Sequence, residues 1–346
     1  MKQINVAIAG SGYSTRVFHA PFLNTDVRFC VKKCYERNSH RATEYFSDVE
    51  IVRDFDALLS PDIDLVIITT PNQTHYDFTK QALLAKKHVL VEKPLVASSK
   101  QALELAELAK QQGVILYVYQ NRRWDAAVSA AREILTQGLI GEVVDCEICI
   151  DRFAKEKNAK AWKEAGDAGT GLVYDLGGHL LDQAVDLFGK PAKLFADIRY
   201  QHEGALVDDN FDIHLYYSTG LKVAVKASKY VRETTPQFAL HGKLGSYVKQ
   251  IGDLQESKLC AGVLPQGNWQ VESESEWGIL HTEINGEIVR KPYPNPNVSY
   301  RTLYDNLYES LTAQAEPLVT PEQAAYVLHL IEKAFESAKT GRVVEV

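Results

Sequence analysis

Lys93 is the first residue whose type and position suggest chemistry. Residues 89–91, Val-Leu-Val, predict a strand that is buried on both faces. Glu92 and then Lys93 follow this strand directly. Ligands of open parallel sheets bind at the carboxyl ends of the strands. A lysine there can polarise an oxygen or exchange a proton, so Lys93 is a candidate active-site residue, and Pro94 stiffens the backbone that carries it. Taken alone, the two charges would equally fit a solvated loop.

A second group of candidate residues lies near the middle of the chain. A glycine-rich stretch, residues 166–171, precedes Asp175, His179 and Asp182. If a helix begins near Asp175, steps of four and three residues place the three side chains on one face. Imidazole titrates near neutral pH, so the spacing predicts an acid–base array. For Asp175 or His179 alone, a helix N-cap and a satisfied core histidine are the simpler interpretations.

The N-terminus carries a nucleotide-binding signature. Residues 5–9 predict a short apolar strand, and Gly10-Ser11-Gly12 follows directly, before a segment that can be helical. In this context Gly10 permits the tight turn, and Gly12 lets a diphosphate approach the backbone amides. Thr15 stands at the place of a third glycine, which predicts a slightly looser helix-to-strand contact and intact phosphate binding. A glycine turn that binds nothing is the alternative.

The end of the second predicted strand, residues 28–35, bears on the choice of nucleotide. An acidic residue there accepts the ribose hydroxyls of NAD, whereas an arginine accommodates the 2′-phosphate of NADP. Glu36 and Arg37 supply both, side by side, and Lys32 and Lys33 blur the strand boundary. The sequence therefore predicts NAD or NADP as cofactor, with a small preference for NAD.

The elements around these motifs change character along the chain. Predicted strands such as residues 64–68 and 114–119 alternate with helices and end in polar residues, which predicts a parallel sheet with one crevice along its carboxyl edge. Later strands follow one another without helices, which predicts an antiparallel sheet. We expect an α/β chain with a doubly wound Rossmann domain in residues 1–123. An α+β domain with an open, mostly antiparallel sheet should occupy residues 124–346, and its helix 321–339 can pack back on the first domain.

Length, charge and cysteine content restrict the function classes. The 346 residues exceed what one hydrophobic core usually supports, and the net charge of -7 gives no basic surplus for nucleic acid or anionic lipid. No apolar run approaches the length of a membrane span. The five cysteines do not suggest a disulfide framework, and Cys146 and Cys149 lie in a predicted strand that points them to opposite faces. We expect a cytoplasmic protein with a small-molecule substrate, no metal, and no nucleic-acid or membrane partner.

Together these motifs resemble the Gfo/Idh/MocA oxidoreductases, the glucose-fructose oxidoreductase and inositol dehydrogenase family. The resemblance rests on Gly10-Ser11-Gly12, Thr70-Pro71-Asn72 with His75, Glu92-Lys93-Pro94, Asn121-Arg122-Arg123, Trp162 and residues 175–182, in matching order nearly end to end. Within the family, the chain is most similar to the branch near scyllo-inositol 2-dehydrogenases. The resemblance implies a Rossmann domain, a dimer or tetramer formed through the C-terminal sheet, and NAD(P)-dependent oxidation of a sugar, inositol or related polyol.

The resemblance also implies roles for individual residues. Lys93, Asp175 and His179 take the catalytic positions, and the same three bind substrate together with Arg122 and Trp162. The implied cofactor-binding positions are Gly10, Gly12, Tyr13, Ser14, Thr15, Glu36, Arg37, Thr70, Pro71, Asn72, His75, Glu92, Lys93, Asn121, Arg122 and Trp162. Oxidising a secondary alcohol needs a proton acceptor beside the carbinol oxygen, and we assign that role jointly to Lys93 and His179.

Two other functions are open at this point. A nucleotide-binding redox sensor would need the phosphate loop but not the acid–base residues. Cofactor-retaining glycosidase chemistry occurs in the same superfamily, although the carboxylate pair of ordinary glycosidases is not evident in this sequence. The presence of Lys93, Asp175 and His179 favours the dehydrogenase over the sensor.

Overall fold

The computed structural model describes residues 2–158 and 161–346, with only the backbone described at Ala161 and Trp162. The described chain forms two compact units, and its elements are numbered below in chain order. The first unit comprises Met1–Asn121, Gln255–Gln270 and Tyr300–Tyr326, and the second comprises Arg122–Leu254, Val271–Ser299 and Val327–Val346.

The described part of the first unit is built on a six-stranded sheet in the order β3-β2-β1-β4-β5-β6, in which every pairing is parallel. Its strands are β1 Ile4–Ala9, β2 Phe29–Tyr35, β3 Glu50–Val52, β4 Leu65–Ile68, β5 His88–Glu92 and β6 Leu116–Tyr119. All residues of β4 are buried, as expected for a strand covered on both faces. The strand order reverses beside β1, which is where such sheets bind ligands. The predicted Rossmann architecture is confirmed.

The helices of the first unit come from both ends of the chain. They are α1 Ala20–Asn24, α2 Ala42–Tyr45, α3 His75–Leu84, α4 Ser99–Gln112, α7 Gln255–Cys260 and α8 Arg301–Leu311, with the π-helical turn Thr15–His19 and the 3-10 turns Phe55–Leu59 and Asn72–Thr74. Helix α9, Pro321–Thr340, contributes residues to both units. On α8, Tyr304 stacks on Phe22 with ring centroids 5.1 Å apart, and Asn306 Oδ1 accepts a 2.8 Å hydrogen bond from the Tyr117 hydroxyl. Helix α8 therefore completes the aromatic core of this unit.

The described strands of the second unit form a nine-stranded sheet in the order β14-β13-β12-β11-β7-β10-β9-β8-β15. They are β7 Val143–Cys149, β8 Lys193–Arg199, β9 Asn210–Tyr216, β10 Lys222–Ser228, β11 Phe238–Gly242, β12 Gly245–Lys249, β13 Gly278–Ile284, β14 Glu287–Tyr293 and β15 Val344–Glu345. Its helices are α5 Ala126–Thr136 and α6 Gly178–Phe188, with the π-helical turn Val173–Gly177 and the 3-10 turns Asn121–Trp124, Ala161–Glu164 and Glu274–Glu276. Strand β10 runs parallel to β7 and the other described pairings are antiparallel, which confirms the predicted mostly antiparallel sheet.

Residues 259–296 contain the end of helix α7 and the regular hairpin β13–β14. Strand β14 is an edge strand with mostly exposed residues, so no alternation of buried and exposed positions marks it in the sequence. No helix among the described residues combines the length and apolar character needed to cross a bilayer.

Candidate functional site

The glycine turn after β1 is closed by specific contacts. Gly10 has φ +104°, and a Cβ built on it would lie 2.8 Å from Thr69 Oγ1, so glycine is required there on two grounds. Thr15 is buried, donates to the Gly10 carbonyl at 2.9 Å and lies 2.8 Å from Thr69 Oγ1. Thr15, in place of the third glycine, therefore ties the turn to Gly10 and Thr69 through its hydroxyl.

Gly12 leaves room for a ligand. A Cβ built on it would have no heavy atom within 4 Å, and the helix that follows begins at the next residue and contains the π-helical turn Thr15–His19. Helix N-terminal amides favour an anion. This open approach is what a dinucleotide diphosphate needs, so the turn fits the cofactor predicted for it.

Glu36 lies directly after β2, at the register predicted for the ribose-binding carboxylate. It is buried, and its Oε1 accepts a 2.8 Å hydrogen bond from the Ala42 amide. Its Oε2 accepts no hydrogen bond from any described residue. Buried polar atoms nearly always have a partner, and a ribose hydroxyl would supply one. Arg37 beside it is exposed, and Arg53 holds the backbone of this loop through the carbonyls of Glu36 and Ser39, each at 2.7 Å.

Glu92 connects the glycine turn to Lys93. Its Oε1 accepts hydrogen bonds from Ser14 Oγ and from His19 Nε2, the latter at 3.0 Å, and its Oε2 accepts from the Lys93 amide at 3.2 Å. Burial opposes ionisation, but the hydrogen bonds from His19 and Ser14 outweigh it and hold the pKa of Glu92 below its usual range. Glu92 is therefore an anion that fixes the turn and the strand end together.

His75 connects two strand ends in the same unit. It is fully buried, its Nδ1 lies 2.8 Å from the Pro94 carbonyl oxygen and its Nε2 lies 2.8 Å from the Thr70 carbonyl oxygen. Burial lowers its pKa, although both carbonyls oppose the shift. Pro71 precedes the 3-10 turn Asn72–Thr74, and the Lys93–Pro94 peptide bond is cis. Asn121, predicted for the same cofactor, is buried just beyond the end of β6.

The predicted acid–base helix of the second unit begins earlier than expected. It is helical from residue 172 to Phe188 and contains Asp175 within its π-helical turn. Such turns inside helices occur frequently at functional sites. Lys163 Nζ lies 3.2 Å from Asp175 Oδ2, and His179 is buried. Lys163 was not predicted, and its only signal was its place beside Trp162, whose side chain lies outside the described residues.

Asp182 does not belong to the acid–base array. Its two carboxylate oxygens accept hydrogen bonds from Arg123 Nε at 2.7 Å and from Arg123 Nη2 at 2.8 Å, and both residues are buried. Such a bidentate pair commits the carboxylate to the arginine. Arg122 Nη1 lies 3.4 Å from Asp125 Oδ2, and its carbonyl accepts from Gln183 Nε2 at 2.8 Å. The segment with Arg122 is thus fixed to helix α6.

Asp208 shapes the start of the helix that carries Asp175 and His179, and sequence reasoning missed it. Its Oδ2 accepts a 2.7 Å hydrogen bond from the Val173 amide. Gly171 has φ +98°, and a Cβ built on it would lie 2.0 Å from Asp208 Oδ1, so only glycine leaves room for this carboxylate. Burial raises the pKa of Asp208 to about 6, against the lowering effect of the Val173 amide.

We expect the free energy of unfolding of Asp208→Asn, measured relative to that of the wild type, to increase as pH rises. The folded pKa is higher than the unfolded one, so the wild type loses stability from this group between its unfolded pKa of 3.8 and its folded pKa of about 6. The total loss is at most about 3 kcal/mol, and asparagine, which does not ionise, avoids it. Urea unfolding of both proteins between about pH 5 and pH 7.5 measures the difference, which should grow with pH and then level off. A difference that shrinks as pH rises would contradict this role.

Two family models match most of the chain. Residues 4–120 match the oxidoreductase family's NAD-binding Rossmann fold, and residues 132–346 match the C-terminal alpha/beta domain of the same family. The scyllo-inositol 2-dehydrogenase (NADP(+)) IolW of Bacillus subtilis (strain 168) is 33% identical over 343 residues, which cover 99% of this chain and 95% of the relative. A solved oxidoreductase from Bacillus cereus has a TM-score of 0.91 at 33% identity, over 99% of each chain. A solved protein from Bacteroides fragilis has a TM-score of 0.91 at 41% identity, over 100% of each chain. The chain therefore belongs to the Gfo/Idh/MocA family of NAD(P)-dependent oxidoreductases.

Proposed function

We propose that the enzyme transfers a hydride between a nicotinamide nucleotide and a secondary alcohol or ketone of a sugar, inositol or related polyol. The observation that carries the proposal is the carboxylate of Glu92, which accepts from Ser14 in the glycine turn and from the amide of Lys93. The candidate catalytic lysine is thereby held beside the nucleotide-binding turn. The scyllo-inositol dehydrogenase among its relatives supports the substrate class.

The residues of this chain supply the proton chemistry. A nicotinamide nucleotide held at the glycine turn would supply the hydride acceptor or donor. Lys93 polarises the substrate oxygen and stabilises the charge that develops on it. Lys93 and His179 jointly accept the proton that leaves the substrate hydroxyl during oxidation. Asp175, which is paired with Lys163, orients that hydroxyl. In ketone reduction the same groups return the proton.

A substrate screen tests the proposed function against its alternatives. The purified protein is incubated with NAD or NADP and a panel of inositols, sugars and chromogenic glycosides, and with the reduced nucleotides and the corresponding ketoses and inosose. Formation or consumption of reduced nucleotide with at least one polyol or ketone is the expected result. Release of a chromophore without net nucleotide reduction would indicate the glycosidase instead, and nucleotide binding without any turnover would indicate a sensor.

Within this function we propose a preference for NAD over NADP. The buried Glu36 Oε2 supports it, because this oxygen can accept a ribose hydroxyl and its charge repels a 2′-phosphate. Repulsion between two such charges a few ångströms apart is worth on the order of one to several kcal/mol. The exposed Arg37 acts in the opposite direction, since a guanidinium can bind the phosphate.

We expect Glu36→Ser to shift the ratio of kcat/KM values towards NADP by roughly tenfold or more, and Arg37→Ala to weaken NADP more than NAD. Glu44→Ser, which changes an exposed glutamate on helix α2, is the matched control and should leave the ratio unchanged. Steady-state kinetics with both nucleotides measure the ratio. A wild-type preference for NADP that Glu36→Ser leaves unaltered would count against the assigned role of Glu36.

A further inference from the structure

We infer that His19 and His75 are positioning residues that fix the backbone on the two sides of Lys93. The inference rests on the proposed function of Lys93. Both imidazoles are fully buried, and both contact the segment that carries Lys93. Neither is a catalytic residue in this scheme, because each acts through a neighbour.

His19 fixes the side before Lys93. Its Nε2 lies 3.0 Å from Glu92 Oε1, and Glu92 Oε2 accepts from the Lys93 amide at 3.2 Å. Its Nδ1 lies 2.7 Å from the Tyr304 hydroxyl on α8, and its ring lies 4.5 Å from that of Tyr119. Both ring nitrogens of His19 therefore have partners. Through Nε2 the imidazole positions the Glu92 carboxylate, which accepts a hydrogen bond from the Lys93 amide.

His75 fixes the side after Lys93. Its Nδ1 lies 2.8 Å from the carbonyl oxygen of Pro94, the next residue, and its Nε2 lies 2.8 Å from that of Thr70. These two carbonyls belong to loops that follow neighbouring strands, β5 and β4. A neutral imidazole carries one N–H, so the tautomer decides which carbonyl oxygen accepts a hydrogen bond from it.

Lys93 needs such support because the sheet does not provide it. The last strand pairing of β5 is that of Glu92 with Tyr119, and residues 93–98 form no helix or strand. A displacement of about 1 Å at a reacting group can lower turnover by roughly a hundredfold. The buried imidazoles of His19 and His75, which contact residues 92 and 94, would prevent that displacement.

Substitution with asparagine or glutamine distinguishes the contributions of the two ring nitrogens of each histidine. The asparagine amide nitrogen lies close to the position of Nδ1, and that of glutamine lies close to the position of Nε2. At residue 19 the contact towards Lys93 uses Nε2, and at residue 75 it uses Nδ1. We therefore expect a crossed order: kcat of His19→Gln exceeds that of His19→Asn, and kcat of His75→Asn exceeds that of His75→Gln, each by about tenfold or more.

The controls separate positioning from general stability. His88→Gln changes a histidine at the other end of β5, whose Nδ1 accepts from the Ile115 amide at 3.0 Å, and it should lower Tm without a comparable loss of kcat. KM for the nucleotide should change by a smaller factor than kcat in all four crossed variants, because the displaced group acts in the transition state. Three results would overturn the inference. The first is that the same amide, asparagine or glutamine, gives the higher kcat at both residues. The others are equal kcat in all four variants and losses of kcat that follow the losses of Tm.

Hydrogen exchange gives a readout that does not need turnover. Exchange in the peptide that contains residues 93–98 should be faster in His19→Asn and His75→Gln than in their isostere partners. If the wild type turns over no substrate, or Lys93→Met is as active as the wild type, the proposed function fails and the exchange order alone decides the positioning inference. If the wild type turns over, Lys93→Met does not, and both crossed orders are missing, only the positioning inference fails.

Discussion

Lys93→Met is expected to lower kcat by about a hundredfold to ten-thousandfold, the usual contribution of a positioned proton-transfer or charge contact. Methionine has a similar length and no charge, so the backbone hydrogen bond from residue 93 to Glu92 Oε2 is retained. Nucleotide affinity should therefore stay close to that of the wild type. Steady-state kinetics with the best polyol, together with calorimetric titration of the nucleotide, test both statements.

Lys87→Met is the matched control for this substitution. Lys87 lies just before β5, at the opposite end from Lys93, and its buried ammonium donates to the carbonyls of Ser60 at 2.7 Å and Ile63 at 2.8 Å. Removing it takes one donor from each carbonyl, although the Ser60 carbonyl still accepts from the Ile63 amide at 3.1 Å. The loss costs about 1–3 kcal/mol of stability. The folded fraction should nevertheless keep its kcat. Near-normal turnover of Lys93→Met, or equal losses of kcat in the two variants, would contradict the catalytic role.

Gly12→Val is expected to weaken nucleotide binding strongly while the fold persists. No heavy atom lies within 4 Å of a Cβ at this position, so the new side chain meets only the space that the diphosphate needs. With overpacking worth about 1–3 kcal/mol or more, affinity should fall at least about tenfold, and Gly12→Ala should cause a smaller loss. Calorimetry measures the affinity, and thermal unfolding of the free protein should give a nearly unchanged Tm.

Gly10→Ala provides the opposite case within the same turn. Its Cβ would lie 2.8 Å from Thr69 Oγ1 in a backbone conformation with φ +104°, so the variant should lose stability even without nucleotide. Substitutions at Gly12 therefore test the space for the ligand through nucleotide affinity, and substitution at Gly10 tests the backbone conformation through stability. Unchanged nucleotide affinity in Gly12→Val would argue against the cofactor site itself.

Sequence reasoning succeeded where a few adjacent residues determine the structure. The strand, glycine turn and helix start around Gly12 are encoded within about twenty residues, because turn chemistry and apolar runs are local signals. The register of Glu36 and the position of Lys93 after β5 follow from the same kind of signal. The change from alternating strands and helices to successive strands was sufficient to predict two different sheets.

Contacts between distant parts of the chain could not be predicted in this way. His19 and Tyr304 are 285 residues apart, and neither belongs to a recognisable motif. Asp182 lies at the predicted helical spacing from His179, but the buried guanidinium of Arg123, 59 residues earlier, takes its carboxylate. The π-helical turn at Asp175 also leaves no periodic signal, because it inserts into an otherwise regular helix.

The helix α8 has a consequence for how the enzyme is made. The nucleotide-binding unit lacks part of its aromatic core until Tyr304, which stacks on Phe22 and lies far later in the chain, has been synthesised. Tyr308 on the same helix also donates to the backbone of Lys2 at 2.9 Å. Domains commonly fold during synthesis in order from the N-terminus. Here the N-terminal strands leave the ribosome long before helix α8, so this unit is completed only after α8 has been synthesised.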